Sequence, residues 1–535
     1  MINSILIVAA FLLGTISGAR AITYGLAGLL AILAVTSSLP FQLGLPNVAL
    51  IPVFLLALIG VASASGSSTE MTAVAASDRR GRQGLDVFTR HLRTWTGITV
   101  VTIFVASILG ILGRHLDARP RLDGHPADLF LFAPAGLPGE IQTGYIALMG
   151  PLLFVVALGA LRDEAGRLLL RRAFTAGICV AVLSPLVQVA ALTPWVRPDQ
   201  RTYEGTGITG LVGFFQDPHS YAAFLVFATT FCFGLAIGHA RGGATGHRRE
   251  GGRVVLGHHV GGIRDGVIGY GLLGTAAAIV FLYTNSRAGL VSILVSLAML
   301  SLLALSSPTM TDRARRWRRA FVAVVALSAL FAVVVLSSAA LREVAYEQLA
   351  KLGNPRMWEI VRSDPFELLA GRTARLQKAA VILQTNPIWG LGPNGYQLTP
   401  IAIAGVPAGV LAVAPHNYFV QLATEYGLPA AASFLVLIGL VLRCAIGGAY
   451  RATEPLDRGL LAGISSGLVA VLLMSLVSHP LLLSELQAVF WTMSALAVAT
   501  VRATTADQSR SSRSRPASKP KNGIGGENDG APPPA

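Results

Sequence analysis

Charge is what this sequence is short of. Only 13% of its 535 residues are charged and 53% are hydrophobic, whereas soluble domains run nearer a quarter charged. A mean hydropathy of +0.61 agrees; a soluble enzyme is excluded and a polytopic membrane protein is expected. Cysteine is equally scarce. Cys179, Cys232 and Cys444 stand apart, in or beside apolar runs, with no CxxC and no Cys/His spacing. That pattern indicates neither a disulfide framework nor a zinc site. The polar loops also lack paired carboxylates at ligand spacing; Asp364 and Glu367 come nearest and read as solvating residues. No metal and no cofactor is expected. A basic stripe interleaved with aromatics is missing too, so the net charge of +15 does not imply a nucleic-acid partner, which would need stacking platforms. The first apolar run, from Ile5 to Ile16, has no basic flank and no convincing cleavage site, and reads as a retained span.

What is present is a succession of apolar runs of membrane-crossing length. They lie near 2–18, 20–37, 47–64, 97–113, 145–161, 173–192, 219–239, 266–283, 288–306, 320–340, 428–446, 459–478 and 482–501. The fold class is therefore all-α, a membrane helix bundle of about twelve or thirteen spans, interrupted by one long polar loop. Five segments follow: N-terminal spans over 1–207, central spans over 208–340, a large outer loop over 341–415, C-terminal spans over 416–502, and a Ser/Arg/Lys-rich tail over 503–535. That tail ends in Gly-Ala-Pro-Pro-Pro-Ala and holds too little apolar content to fold alone, so it reads as disordered.

The arginines orient the bundle. Arg79 to Arg93, Arg162 to Arg172, Arg241 to Arg264, Arg313 to Arg319, Arg443 to Arg458 and the tail after Arg502 all fall on one side. By the positive-inside rule that side, with the C-terminus, is cytoplasmic. The opposite side receives 114–144, 194–218, the tight Thr284-Asn-Ser-Arg287 turn and the 341–415 loop.

Candidate chemistry concentrates on that outer side. Arg287 lies between two apolar runs where the positive-inside rule gives no reason for an arginine. It either snorkels to headgroups or faces a polar cavity and binds an anion. Arg372 and Arg375 have helical i, i+3 spacing and Lys378 extends the row, with Ala379, Ile382 and Leu383 on an apolar side. An interfacial amphipathic helix is expected there. Its basic face is either solvated or matched to phosphate oxygens, which guanidinium forks fit. The loop Asn386-Pro-Ile-Trp-Gly-Leu-Gly-Pro-Asn-Gly-Tyr396 is dense in turn formers. Trp389 and Tyr396 anchor it, at the membrane interface or against a sugar face. His416 follows Pro415 and opens a run ending at Gly427 and Pro429. At a helix start the dipole disfavours imidazolium and keeps a neutral ring able to accept a proton. A capping or packing role is the simpler reading. Asp217-Pro-His219 opens another span and reads as a cap with proline in the first turn. His479-Pro480 reads as a structural turn.

Taken in order, Gly213-Phe-Phe-Gln-Asp-Pro-His219, Thr284-Asn-Ser-Arg-Ala-Gly289, Gly371-Arg372, Asn386-Pro-Ile-Trp-Gly-Leu-Gly-Pro-Asn-Gly395 and His416-Asn417 with Glu425-Tyr-Gly427 resemble the O-antigen ligase and Wzy-type polysaccharide polymerase superfamily. The resemblance covers roughly the second half of the chain. It implies a GT-C-like glycosyltransferase of the bacterial inner membrane with a long helical periplasmic loop. Such an enzyme moves a glycan from undecaprenyl diphosphate to an acceptor hydroxyl, with inversion and without a metal. The acceptor would be lipid-linked or a lipid A-core glycan; membrane lipids are the remaining partners. Residue by residue, His416 matches the family's catalytic histidine, while Arg287, Arg372 and Arg375 would hold the diphosphate. Asp217, His219, Trp389, Asn394, Tyr396 and Asn417 would shape the loop or meet the acceptor. Two departures stand out: Leu376 where an aromatic often follows the loop arginine, and Asp217-Pro-His219 where the family has an Asn-Pro-Asn-like signature. A transporter or flippase, and a non-catalytic partner in polysaccharide export, are the competing readings. A transporter would place its polar residues near the midplane of repeated halves.

Overall fold

A computed structural model describes residues 79–116, 137–190, 218–245, 260–284, 286–305, 343, 365–404, 406, 411 and 414–514. The spans expected at 2–18, 20–37, 47–64 and 320–340, Asp217, and the end of the tail lie outside the described residues. What is described is helical, with no strand among the described residues.

In chain order the long helices are α1 (Arg79–Leu116), α2 (Leu137–Ala160), α3 (Glu164–Ala190), α4 (Pro218–Thr245), α5 (Val260–Leu282) and α6 (Arg287–Leu305). Helix α7 (Pro365–Thr385), the single turn α8 (Gly395–Leu398), α9 (Tyr418–Arg451), α10 (Pro455–Ser475), a 3₁₀ turn (Pro480–Leu482) and α11 (Ser484–Ser514) follow. Six are long and apolar enough to cross a membrane, within α1, α4, α5, α9, α10 and α11; α2 and α6 carry shorter apolar stretches. The result is a polytopic membrane helix bundle. Helix α11 runs on to Ser514, past the point where the sequence ended the span and into the tail expected to be disordered.

Helices α4, α10 and α11 form the buried centre, while α1 and α5 present mostly exposed faces. Helix α4 packs along α10 and α5, α10 also touches α6 and α9, and α11 runs beside α2. Lipid tails are as apolar as leucine, so close backbone approach must hold such helices together. Gly234 and Gly238 on α4 meet Gly459 and Gly463 on α10; a Cβ on Gly459 would come within 2.2 Å of the Gly234 carbonyl oxygen. Phe174 on α3 seals the other side of α4 against the edges of Phe224, Phe227 and Phe231. Trp491 on α11 plays the same part among Phe154, Phe434 and Phe490.

Helix α9 breaks at one point, and that break positions the site. Gly427 has φ 85° and ψ 165°, a region open essentially to glycine alone. Two residues on, Pro429 has no N–H, so the Glu425 carbonyl loses its helical donor. The loop between α7 and α8 supplies the missing partners. Gly392 N–H donates to Glu425 O at 2.6 Å, Leu391 N–H donates to Thr424 O at 2.9 Å, and Leu428 N–H donates to Pro387 O at 2.8 Å. Three backbone groups at the break, the Thr424 and Glu425 carbonyls and the Leu428 N–H, are thus answered by loop 386–395. The same approach requires Gly390 (φ 62°), where a Cβ would lie 2.6 Å from the Glu425 carbonyl.

Candidate active site

His416 precedes α9 rather than belonging to it. Asn417 is the N-cap: its Oδ1 accepts from the Phe419 and Val420 N–H groups at 3.0 and 3.1 Å. Those bonds make Asn417 the cap of α9. His416 itself takes a left-handed conformation, φ 52°, in which a non-glycine residue is uncommon. The helix end is tied to the turn before α11 by Tyr418 N–H donating to Ser478 O at 3.2 Å. This tie brings His479, which the sequence suggested was only structural, beside His416 with ring centroids 5.3 Å apart.

Four cationic or titratable groups act on the His416 ring. Burial, then His479, Arg375, Arg372 and His219 in that order, push its pKa down to about 3. The ring is neutral at physiological pH, and its surroundings already carry the positive charge that an anion would meet. Burial is the largest cause, ahead of these neighbouring groups.

Each neighbour arrives on its own element. His219 lies in the first turn of α4, its Nδ1 3.4 Å from Ser286 Oγ. Ser286 caps α6, accepting from Gly289 N–H at 3.2 Å, and Arg287 is the first residue of that helix. The Arg287 side chain lies outside what the structure describes, as does Asp217. Arg372 and Arg375 stand on α7, and burial lowers the pKa of Arg372.

Two residues hold α7 in place. The Tyr396 hydroxyl donates to the Arg375 carbonyl at 2.8 Å, and burial pushes that phenol's pKa up, so it stays neutral. Lys378 extends the arginine row in sequence, yet it turns inward and is only 1% exposed. Its Nζ donates to Leu411 O at 2.8 Å and sits 4.6 Å from the centre of the Tyr396 ring. Leu411 lies just upstream of Pro415-His416, so Lys378 ties the arginine helix to the histidine loop. The expected apolar side of α7 is present, with Ala379 and Ile382 buried and Leu376 outward.

Burial lowers the Lys378 pKa from 10.5 to about 8. Between these values the unfolded chain binds the extra proton, so stability should rise with pH from about 8 to 10.5, by up to about 1.4 kcal/mol per pH unit. Thermal melts of purified wild type and Lys378→Met across this range check the assignment. The wild-type rise should exceed that of the variant; parallel curves would refute it.

The remaining candidates separate by position. Trp389 is 46% exposed, beside an exposed Ile388. Asn394 is buried with φ 57° and accepts from Thr143 Oγ1 at 3.1 Å. It lines a cavity of about 30 Å³ to which Gln397, Gln421, Glu425 and Gln487 contribute amid apolar side chains, enough for about two waters. Glu425 is fully buried and accepts from Gln421 Nε2 at 3.1 Å. Gln487 accepts from Trp491 Nε1 at 3.0 Å. The sequence did offer a signal for Glu425: a carboxylate and an amide at i, i+4 within an apolar run, where ionisable groups are expensive. Among the described residues no three His, Cys, Asp or Glu side chains gather closely enough to hold a metal ion.

Residues 272–435, which contain Arg287, α7, the 386–395 loop, His416 and the α9 break, match the family model described as O-antigen ligase. No curated protein matches the chain. The helices make this chain a multi-pass membrane protein, and over residues 272–435 it is similar to the O-antigen ligase family.

Proposed function

We propose that the chain is a GT-C-type glycosyltransferase that moves a glycan from undecaprenyl diphosphate to an acceptor hydroxyl, with inversion and without a metal. The observation that carries this reading is a neutral, buried His416 with Arg372, Arg375, His219 and His479 acting on it. Arg372 and Arg375, joined by Arg287 at the start of α6, bind the diphosphate. Their guanidiniums stabilise the charge that grows on the leaving oxygen, a preorganised electrostatic effect. The acceptor oxygen attacks the anomeric carbon as the carbon–oxygen bond to phosphate breaks. The electron pair leaves on the diphosphate, and His416 takes the acceptor proton as general base. Asn417, Lys378 and Tyr396 hold these groups in register. The site faces the periplasm of an inner membrane, with the arginine-rich ends of the spans and the C-terminus in the cytoplasm.

A transporter fits less well, because the candidate site groups gather at the end of the bundle that holds His416 and not at midplane. The test is transfer by purified full-length protein, given an undecaprenyl-diphosphate glycan and candidate acceptors, with and without chelator. Unchanged transfer in chelator supports metal independence. Elongated lipid-linked product indicates polymerase, and glycan on a lipid A-core acceptor indicates ligase. Arg287→Lys should lower transfer by about 10-fold or more, since an ammonium lacks the bidentate fork. Full activity would reduce Arg287 to a headgroup contact.

A further inference from the structure

At the far end of the bundle three arginines from distant parts of the chain surround one cavity. Arg93 on α1, Arg162 in the turn after α2 and Arg502 on α11 line a space of about 180 Å³ whose wall is Phe154, Val155 and Leu158. The positive-inside rule accounts for arginines at this end. It does not account for their meeting around a recess with an apolar wall. Among the described residues that line it none is acidic, and Val155 is an exposed apolar side chain.

The position along the helices is also informative. Thr143, Gln487 and Gly110 all lie at the histidine end, the first two lining the cavity beside Tyr418 and Gly110 against Gly392. At 1.5 Å per residue, Thr143 to Leu158 and Gln487 to Arg502 each span about 22 Å, and Gly110 to Arg93 about 25 Å. The arginine recess therefore lies near the other boundary of a hydrocarbon layer about 30 Å thick.

We infer that Arg93, Arg162 and Arg502 form a binding site for an anionic phospholipid of the leaflet opposite the active site. The phosphate meets the guanidinium forks, and the acyl chains continue along Phe154, Val155 and Leu158. Basic recesses between spans are suited to such headgroups. The site joins α1, α2 and α11, so an occupying lipid would tie three elements together at a distance from the chemistry.

Native mass spectrometry of the purified full-length protein tests this, with phosphatidylglycerol and phosphatidylcholine of matched acyl chains as probes. Wild type should retain phosphatidylglycerol preferentially. Each arginine near the surface should contribute about fivefold, so Arg93→Gln/Arg162→Gln/Arg502→Gln should weaken binding on the order of 100-fold. Arg162→Gln alone, in an exposed turn, should lose about fivefold and serves if the triple variant does not fold. Equal retention of the two lipids by wild type, or equal phosphatidylglycerol binding by wild type and a folded variant, would overturn the site. Inorganic phosphate that displaces the lipid fully and protects against thermal unfolding as well as the lipid does would overturn the lipid assignment. The readout needs no transfer activity, so its outcome is independent of the proposed reaction.

Discussion

His416→Ala should lower glycan transfer by about 10²–10⁴-fold, the range for losing a positioned general base, while the protein still inserts and elutes as wild type does. The ring takes its low pKa from burial and from cations that the donor's diphosphate would offset. Donor binding should therefore raise the His416 pKa, and the complex should take up a proton more readily than the free protein. In wild type the acidic limb of kcat should then lie at higher pH than the acidic limb of kcat/KM, because the first reports the complex and the second the free enzyme. Stability supplies a second readout. With the folded pKa near 3 and the ordinary value at 6.5, the unfolded chain binds the extra proton between these values. Stability is fully present above about pH 6.5 and falls as the pH drops towards 3; His416→Ala should remove that slope. His416→Gly, which accepts φ 52° without strain, should be equally inactive and no less stable than the alanine variant. Wild-type transfer in either variant would remove His416 from the chemistry.

Gly427→Ala should cost roughly 3 kcal/mol or more and abolish transfer, although Gly427 touches no proposed substrate group. An added Cβ would lie 1.8 Å from the Ile388 carbonyl oxygen, at a φ that alanine does not tolerate. Relieving the clash means separating loop 386–395 from α9. That strands the Thr424 and Glu425 carbonyls and the Leu428 N–H, which the loop now satisfies, inside the bundle where unmet groups are expensive. Tyr396 follows the loop directly, so its bond to the Arg375 carbonyl would shift and carry the arginines with it. Melting temperature and proteolysis of the loop measure the effect. Gly439→Ala provides the contrast, because a Cβ there meets nothing within 4 Å and alanine is the better helix former. That variant should melt at or slightly above wild type. Similar losses in both would show that the interlock with the loop is not the cause.

Much of the helical frame was legible because span length and composition are one-dimensional properties. The apolar runs near 97–113 and 219–239 fall within helices long and apolar enough to cross a membrane, and those near 266–283 and 459–478 overlap two more, Asp265–Leu282 and Pro455–Ser475. The tight connection before α6 and the Gly427-Pro429 interruption were readable too, since turns and helix breaking are local. Lys378 was not. Its spacing continues the arginine row, and only the Leu411 carbonyl and the Tyr396 ring, far away in sequence, turn it inward. Nor was His479, because an isolated His-Pro turn carries no sign of what will pack against it.

The sequence by itself determined that this chain is a multi-pass membrane protein and marked apolar stretches that the described helices carry. These follow from transfer of apolar side chains and from local backbone preferences, neither of which needs a partner. Only the tertiary structure decided which residues meet. It brings His416 to His479 through the Tyr418–Ser478 tie, fits loop 386–395 to the carbonyls freed at Gly427, and gathers Arg93, Arg162 and Arg502 round one recess. The reason is that a buried polar group must be matched in three dimensions, and the match comes from residues whose distance along the chain says nothing about it.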